Sequence, residues 1–314
     1  MADRGSQVRI VDPVLSQVIQ GYISPAATYT RIFPTVEVLI EGFKVPNFGA
    51  KLLKRWITTR AMGGQRARME VPIEDMTDVV LHEESIEIAL DRREIEEAER
   101  NVAGGAWLIK SKTTRAKMLK GQIDRTWEIQ AATALTTAGN YNASNRDTPA
   151  PLWNAANSTP IEDIFAAKEV VRQSIGADPS KMWVSAPCWN VLSNHEDVVD
   201  RIKHTQIGVV TPQLLAQLLQ LDEVIVCKSV YSTDGTTVTD IWGDEAGLIW
   251  TPPQAEADKE VPSMGYFFRK MGYPNVASYA DERVNSPEVQ YVEDIGAIKL
   301  LSDVAGYLFV NPLA

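Results

Sequence analysis

The chain has 314 residues, of which 45% are hydrophobic and 23% charged, and its formal net charge is −10. Such a composition suits one large folded domain or two, and it disfavours a dedicated nucleic-acid binder, whose phosphate contacts need clustered Lys and Arg. No run reaches the roughly 18 apolar residues of a membrane span, the start MADRGSQVRI lacks the apolar core of a signal peptide, and Cys188 and Cys227 sit among apolar residues as buried free thiols do.

In residues 1–40, Pro13, Pro25 and Pro34 interrupt every short apolar run. Gln17–Gly21 is expected to hold one helical turn at most. Apolar residues without a local partner make this segment an arm that packs on the rest of the subunit or on a neighbour. Residues 41–90 differ. Arg55–Arg60 has strand composition, Ala61–Gln65 is a glycine-containing tip followed by the basic Arg66 and Arg68, and Val79–Leu90 alternates like a half-buried strand. These parts predict a long projecting β-hairpin, an element that is barely stable alone and calls for a partner surface. Asp91–Arg100 is densely charged and predicts a solvated short helix, its interleaved arginines arguing against a metal site.

Gly104–Ala138 contains no Pro and carries Ala116, Leu119, Ile123, Trp127, Ala131 and Ala134 at steps of three or four. That spacing lays an apolar stripe along one very long helix, with Lys110, Lys112, Arg115, Lys117, Lys120 and Arg125 off the stripe and Gly139-Asn140 as the stop. Asn140–Thr159 reads as a loop and a domain boundary. Residues 159–250 read as a compact α/β unit. Thr159-Pro160 opens a helix closed by Gly176, and Thr211-Pro212 opens another. Met182–Ser185, Val224–Lys228, Thr239–Trp242 and Gly247–Trp250 are its expected strands. Residues 251–314 are β-rich and apolar, and are expected to fold back onto an earlier part.

The phosphate-cradling, dinucleotide, nucleophile-elbow and H-E-x-x-H patterns are absent. The sharpest enzymatic arrangement is Cys188 with His195 seven residues on and Asp197 beside it. Against it, Cys188 stands between Pro187 and Trp189 at a helix start, where a small buried residue is common. Asp124 and Glu128, four apart on the long helix, form an acidic pair for which Lys120 and Arg125 offer ion-pair partners. No cofactor or metal pattern is present.

The order of these parts resembles the tailed-phage major capsid proteins of the Hong Kong 97-type fold, and short stretches carry the likeness. They are Arg31–Val36, Ser158–Phe165, Pro179–Val184, Trp189–Leu192, Asp200–Lys203, Thr211–Ala216, Ile241–Asp244, Pro262–Tyr266 and Tyr307–Phe309. The resemblance implies an α+β fold with an N-terminal arm (1–40), an extended hairpin loop (41–90) and a peripheral domain with a spine helix (91–151). An inserted α/β axial domain (152–253) and a C-terminal return to the peripheral domain (254–314) complete it. It also implies a homo-oligomeric shell of hexamers and pentamers that encloses double-stranded DNA without sequence-specific binding, and no catalysis.

The expected partners are a separate scaffolding protein, a portal and, where one exists, a decoration protein, with assembly in the host cytoplasm and residence in the virion, and no membrane. Under this reading Phe33 of the arm and Met62, Gly63, Gly64, Gln65, Arg66 and Arg68 of the hairpin tip are candidate contacts between subunits. Leu119, Ile123 and Trp127 form the spine-helix core. The alternatives are an encapsulin-type shell protein of the same fold and an α/β enzyme using Cys188 and His195.

Overall fold

The computed structural model describes residues 9–25, 27–47, 55, 59–60, 62–66, 76–100, 104–155, 157–202, 210–281 and 286–313. Ile10–Val11 forms strand β1 and Pro13–Gln20 forms helix α1, so the arm holds about two helical turns rather than one. Pro13 occupies the first helical position, where no N–H is missed, and Asp12 Oδ1 caps the helix by accepting from Val14 N and Leu15 N at 3.0 Å. Tyr29–Ile32 is α2 and Thr35–Val38 is β2.

Gly42–Pro46 (β3) pairs antiparallel with Met76–Val80 (β4), and His82–Leu90 (β5) follows. The single strand expected over Val79–Leu90 therefore divides at Leu81. Its first part closes the hairpin and its second part enters a larger sheet. The expected strand at Arg55–Arg60 falls largely outside the described residues. Arg92–Arg100 (α3) leads to Gly104–Thr136 (α4), whose 33 residues span about 50 Å.

Arg146–Asp147 (β6) precedes Pro160–Ile175 (α5), which ends at Gly176 in the left-handed region, φ 76°. Lys181–Ser185 (β7), Ala186–Asn194 (α6), Glu196–Ile202 (α7), Pro212–Leu219 (α8) and Glu223–Cys227 (β8) come next. Val230–Tyr231 (β9) and Thr239–Asp240 (β10) form a small ribbon, and Ala246–Ile249 is β11. Gly265–Lys270 (β12), Asn275–Asp281 (β13), Ser286–Leu300 (β14) and Gly306–Phe309 (β15) close the chain.

Two sheets organise these elements. In the first, β14 is the long central strand. β5 lies along one side of it, and β12 and β13 lie end to end along the other. The arm completes this sheet at two places: β1 pairs antiparallel with β13, and β2 pairs parallel with β12. The second sheet runs β6-β15-β11-β7-β8 under α5, α6 and α8. The segment 254–314 is thus divided, since β12, β13 and β14 build the first sheet while β15 enters the second beside β11. That pairing is close enough that a Cβ on Gly247 would stand 2.7 Å from the Trp183 indole nitrogen and 2.8 Å from Tyr307 O.

Helix α4 lies across the first sheet. Ala116, Leu119, Ile123, Trp127 and Ala131 are buried there, and Ala134 is half-buried. Leu135 continues the stripe, joined by Ile19, Tyr29, Ile32 and Phe33 from the arm and by Phe267, Val276 and Val292 from the sheet.

Candidate assembly surfaces and their anchor

On α4, Lys120, Asp124 and Glu128 recur at four-residue steps and share one side of the helix. All three are buried, at 2%, 1% and 1% exposure, although Lys120 lies off the apolar stripe. The arm covers them. Ser24 N donates to Asp124 Oδ2 at 3.2 Å and Tyr29 Oη donates to Asp124 Oδ1 at 2.9 Å. Burial first, then the Asp124 carboxylate, pushes the Tyr29 phenol well above its ordinary pKa, so it stays a donor. Lys120 pairs with Asp124 and lies 3.5 Å from Asp294 Oδ2, which also accepts from Arg269 Nη2 at 3.1 Å and Trp127 Nε1 at 3.3 Å.

Glu128 is held differently. The backbone N–H groups of Thr28 and Tyr29 donate to its Oε2 at 2.8 and 2.9 Å, capping α2 in place of any side chain of the arm itself. Its Oε1 accepts from Trp242 Nε1 at 2.8 Å, from Ser229 Oγ at 3.2 Å and from the Thr28 hydroxyl. One buried carboxylate thereby joins the arm, the long helix and the loops that follow β8 and β10. Arg125, offered as an ion-pair partner, instead donates to Gln122 Oε1 at 2.5 Å. Further out, Arg31 Nη2 meets Glu223 Oε1 at 2.6 Å, and Lys181 Nζ donates to Arg31 O at 2.6 Å.

Phe33 is 0% exposed, enclosed among Tyr29, Ile32 and Phe267 in the subunit's own core. It has no surface to offer a neighbour, which corrects its candidacy as a contact between subunits. A phenylalanine between two short elements carries no sequence signal that separates these outcomes. The hairpin is the opposite case. At its base Val45, Val79 and Leu81 are buried against Phe268 and Ile295. Beyond the base, Arg55, Arg60, Met62, Gly63, Gly64, Gln65 and Arg66 are all exposed, and Gly63 takes φ 81° in the tip turn. Arg68 lies outside the described residues. Leu39, Ile40 and Val80 add exposed apolar surface where the hairpin leaves the sheet.

Cys188 and His195 engage separate partners. The thiol donates to Asp244 O at 2.7 Å, and burial raises its pKa to about 12, leaving no thiolate near neutrality. His195 Nε2 meets Ser158 Oγ at 2.8 Å, and Nδ1 accepts from Asp197 N at 3.2 Å, so both ring nitrogens serve the loop that precedes α5 and the start of α7. Cys188→Ala is expected to lower stability by about 1 kcal/mol and leave assembly unchanged, read as the urea midpoint and the yield of particles.

A sheet crossed by one long helix, a second α/β unit, and a hairpin projecting with its tip bare define a shell subunit of the Hong Kong 97 type. Over 312 residues the chain is 30% identical to the major capsid protein of Burkholderia phage BcepMu, with 97% of each chain covered. It belongs to the phage major capsid proteins. The crystal structure of a phage-related protein from Bordetella bronchiseptica RB50 is similar to it with TM-score 0.78 and 25% identity, covering 98% of both chains. The crystal structure of a virus-like particle from Pyrococcus furiosus shares the fold, with TM-score 0.55 and 9% identity over 94% of this chain and 95% of that one. No family model matches the chain.

Proposed function

We propose that this subunit assembles through hexamers and pentamers into an icosahedral phage head around double-stranded DNA, and performs no catalysis. The hairpin carries the reading. It is anchored by a packed base, and its described tip residues are all exposed. An exposed tip gains stability by lying on a neighbouring copy. The elements around α4 and β14 act as the peripheral domain. Residues 152–253 act as the axial domain at the centre of each hexamer or pentamer. The net charge of −10 suits an inner wall along which DNA moves without sticking, so DNA is enclosed and not read. Assembly takes place in the host cytoplasm, with a separate scaffolding protein and a portal.

Deleting Met62–Arg68 tests the reading. The shortened protein should keep the thermal midpoint of the full chain, because the deleted residues lie beyond the hairpin's packed base. It should sediment as free subunits or small rings where the full chain gives closed particles in negative stain. Normal particles from the shortened protein would rule out the hairpin as a clamp between subunits.

A further inference from the structure

The face of the first sheet that points away from α4 has an unusual chemistry. Along β5, Glu83, Ser85 and Glu87 project to that face and are exposed. Opposite them in register stand Ile295, Glu293 and Tyr291 of β14. Tyr279 of β13 stacks beside Tyr291 at 6.0 Å and donates its hydroxyl to Glu87 Oε2 at 2.8 Å. Burial first, then the Glu83 carboxylate, raises the pKa of Glu293, and Arg9 opposes that rise. One guanidinium already visits it. Arg9 lies 5.8 Å above the Tyr291 ring and 3.8 Å from Glu293 Oε1, with 72% of its side chain still exposed. Carboxylates flanking an aromatic ring are what a guanidinium recognises, by charge and by stacking.

The same chain carries the complement. Residues 42–69 contain seven Lys or Arg and no Asp or Glu, within a protein of net charge −10. Arg55, Arg60 and Arg66 are exposed, and none forms a salt bridge among the described residues. From Pro46 to a tip near Met62 the chain can reach at most about 55 Å at 3.3–3.6 Å per residue, enough to cross onto an adjacent subunit.

We infer that the Glu83–Glu87–Glu293–Tyr291 face receives the hairpin-tip arginines Arg55, Arg60 and Arg66 of a second copy of this chain. The inference rests on the shell reading above and names the surface on which the hairpin lies. Charge pairing of this kind steers encounter and fixes register more than it adds affinity. Assembly should therefore slow as salt rises.

Reciprocal charge reversal tests the pairing in the full chain. Arg60→Glu with Arg66→Glu, and separately Glu83→Lys with Glu87→Lys, should each cut the yield of closed particles at least about tenfold. All four changes in one chain should restore the yield to within about twofold of the unaltered protein. Failure of the combined chain to recover, or normal assembly of either reversed variant, overturns the pairing. So does a reversed tip that assembles normally but packages less DNA, which would give the arginines to nucleic acid. Where a reversed variant misfolds, Arg66→Cys with Glu87→Cys decides. An oxidant-dependent ladder of linked subunits supports the contact, and monomer alone overturns it. Unaltered protein that forms no particles in any condition would instead strike at the shell reading, leaving this pairing without an object.

Discussion

Glu128→Ala is expected to destabilise the subunit by about 4 kcal/mol, read as the shift in urea midpoint. The carboxylate is 1% exposed, and among the described residues it forms no salt bridge and is held by hydrogen-bond donors. Removing it relieves the cost of a buried charge, which works in the variant's favour. It also strands Thr28 N, Tyr29 N and Trp242 Nε1, each a buried donor worth about 1–3 kcal/mol when left unsatisfied. Three orphaned donors outweigh one relieved charge.

Glu128→Gln separates the two effects. It keeps the shape but turns an amide N–H₂ toward part of the donor set, so it should lose roughly half as much. The losses should also be local, with hydrogen exchange speeding up first in residues 28–33 because α2 has no other N-terminal cap. An alanine variant that melts within about 1 kcal/mol of the unaltered chain would show that the arm is held mainly by Ile19, Ile32 and Phe33.

The long helix, the α5 and α8 starts and the Gly176 stop are legible because their signals are local: Thr-Pro at two openings, a glycine at the close, and apolar steps of three and four between. The shell fold was legible through the order of parts and scattered short matches, none of them sufficient alone. What local patterns do not show is which charged residues end up inside. Lys120, Asp124 and Glu128 look like a solvated face until Ser24, Thr28 and Tyr29, about a hundred positions away, arrive to cover them. The available signal was the arc itself. Apolar residues at 116, 119, 123 and 127 with charges at 120, 124 and 128 occupy two adjoining sides of α4, as befits a helix covered on both.

The arm misleads for a related reason. Three prolines read as breaks, whereas Pro13 opens a helix and both ends of the arm pair with strands that come more than 200 residues later. Such pairings set no local pattern. The same holds for β15, whose four residues GYLF suit either sheet by composition and are placed by their register against β11.

Trp127→Ala should cost about 3–5 kcal/mol, the range for deleting a large buried aromatic. The indole is 0% exposed and packs at 5.3 Å from the Phe267 ring and 5.2 Å from His82. Its Nε1–H also helps hold Asp294, a carboxylate at 0% exposure shared with Arg269 and Lys120. Truncation therefore opens a cavity with a charged wall. Water can enter such a cavity and bond to Asp294, whereas a purely apolar void of the same size stays empty. That places the expected loss nearer the lower end of the range. Trp127→Phe isolates the second role, because it keeps most of the ring and removes only the donor, for an expected loss of about 1–2 kcal/mol. Equal losses for the alanine and phenylalanine variants would assign Trp127 to holding Asp294. A phenylalanine variant indistinguishable from the unaltered chain would assign it to packing alone, with Arg269 and Lys120 sufficient for the carboxylate.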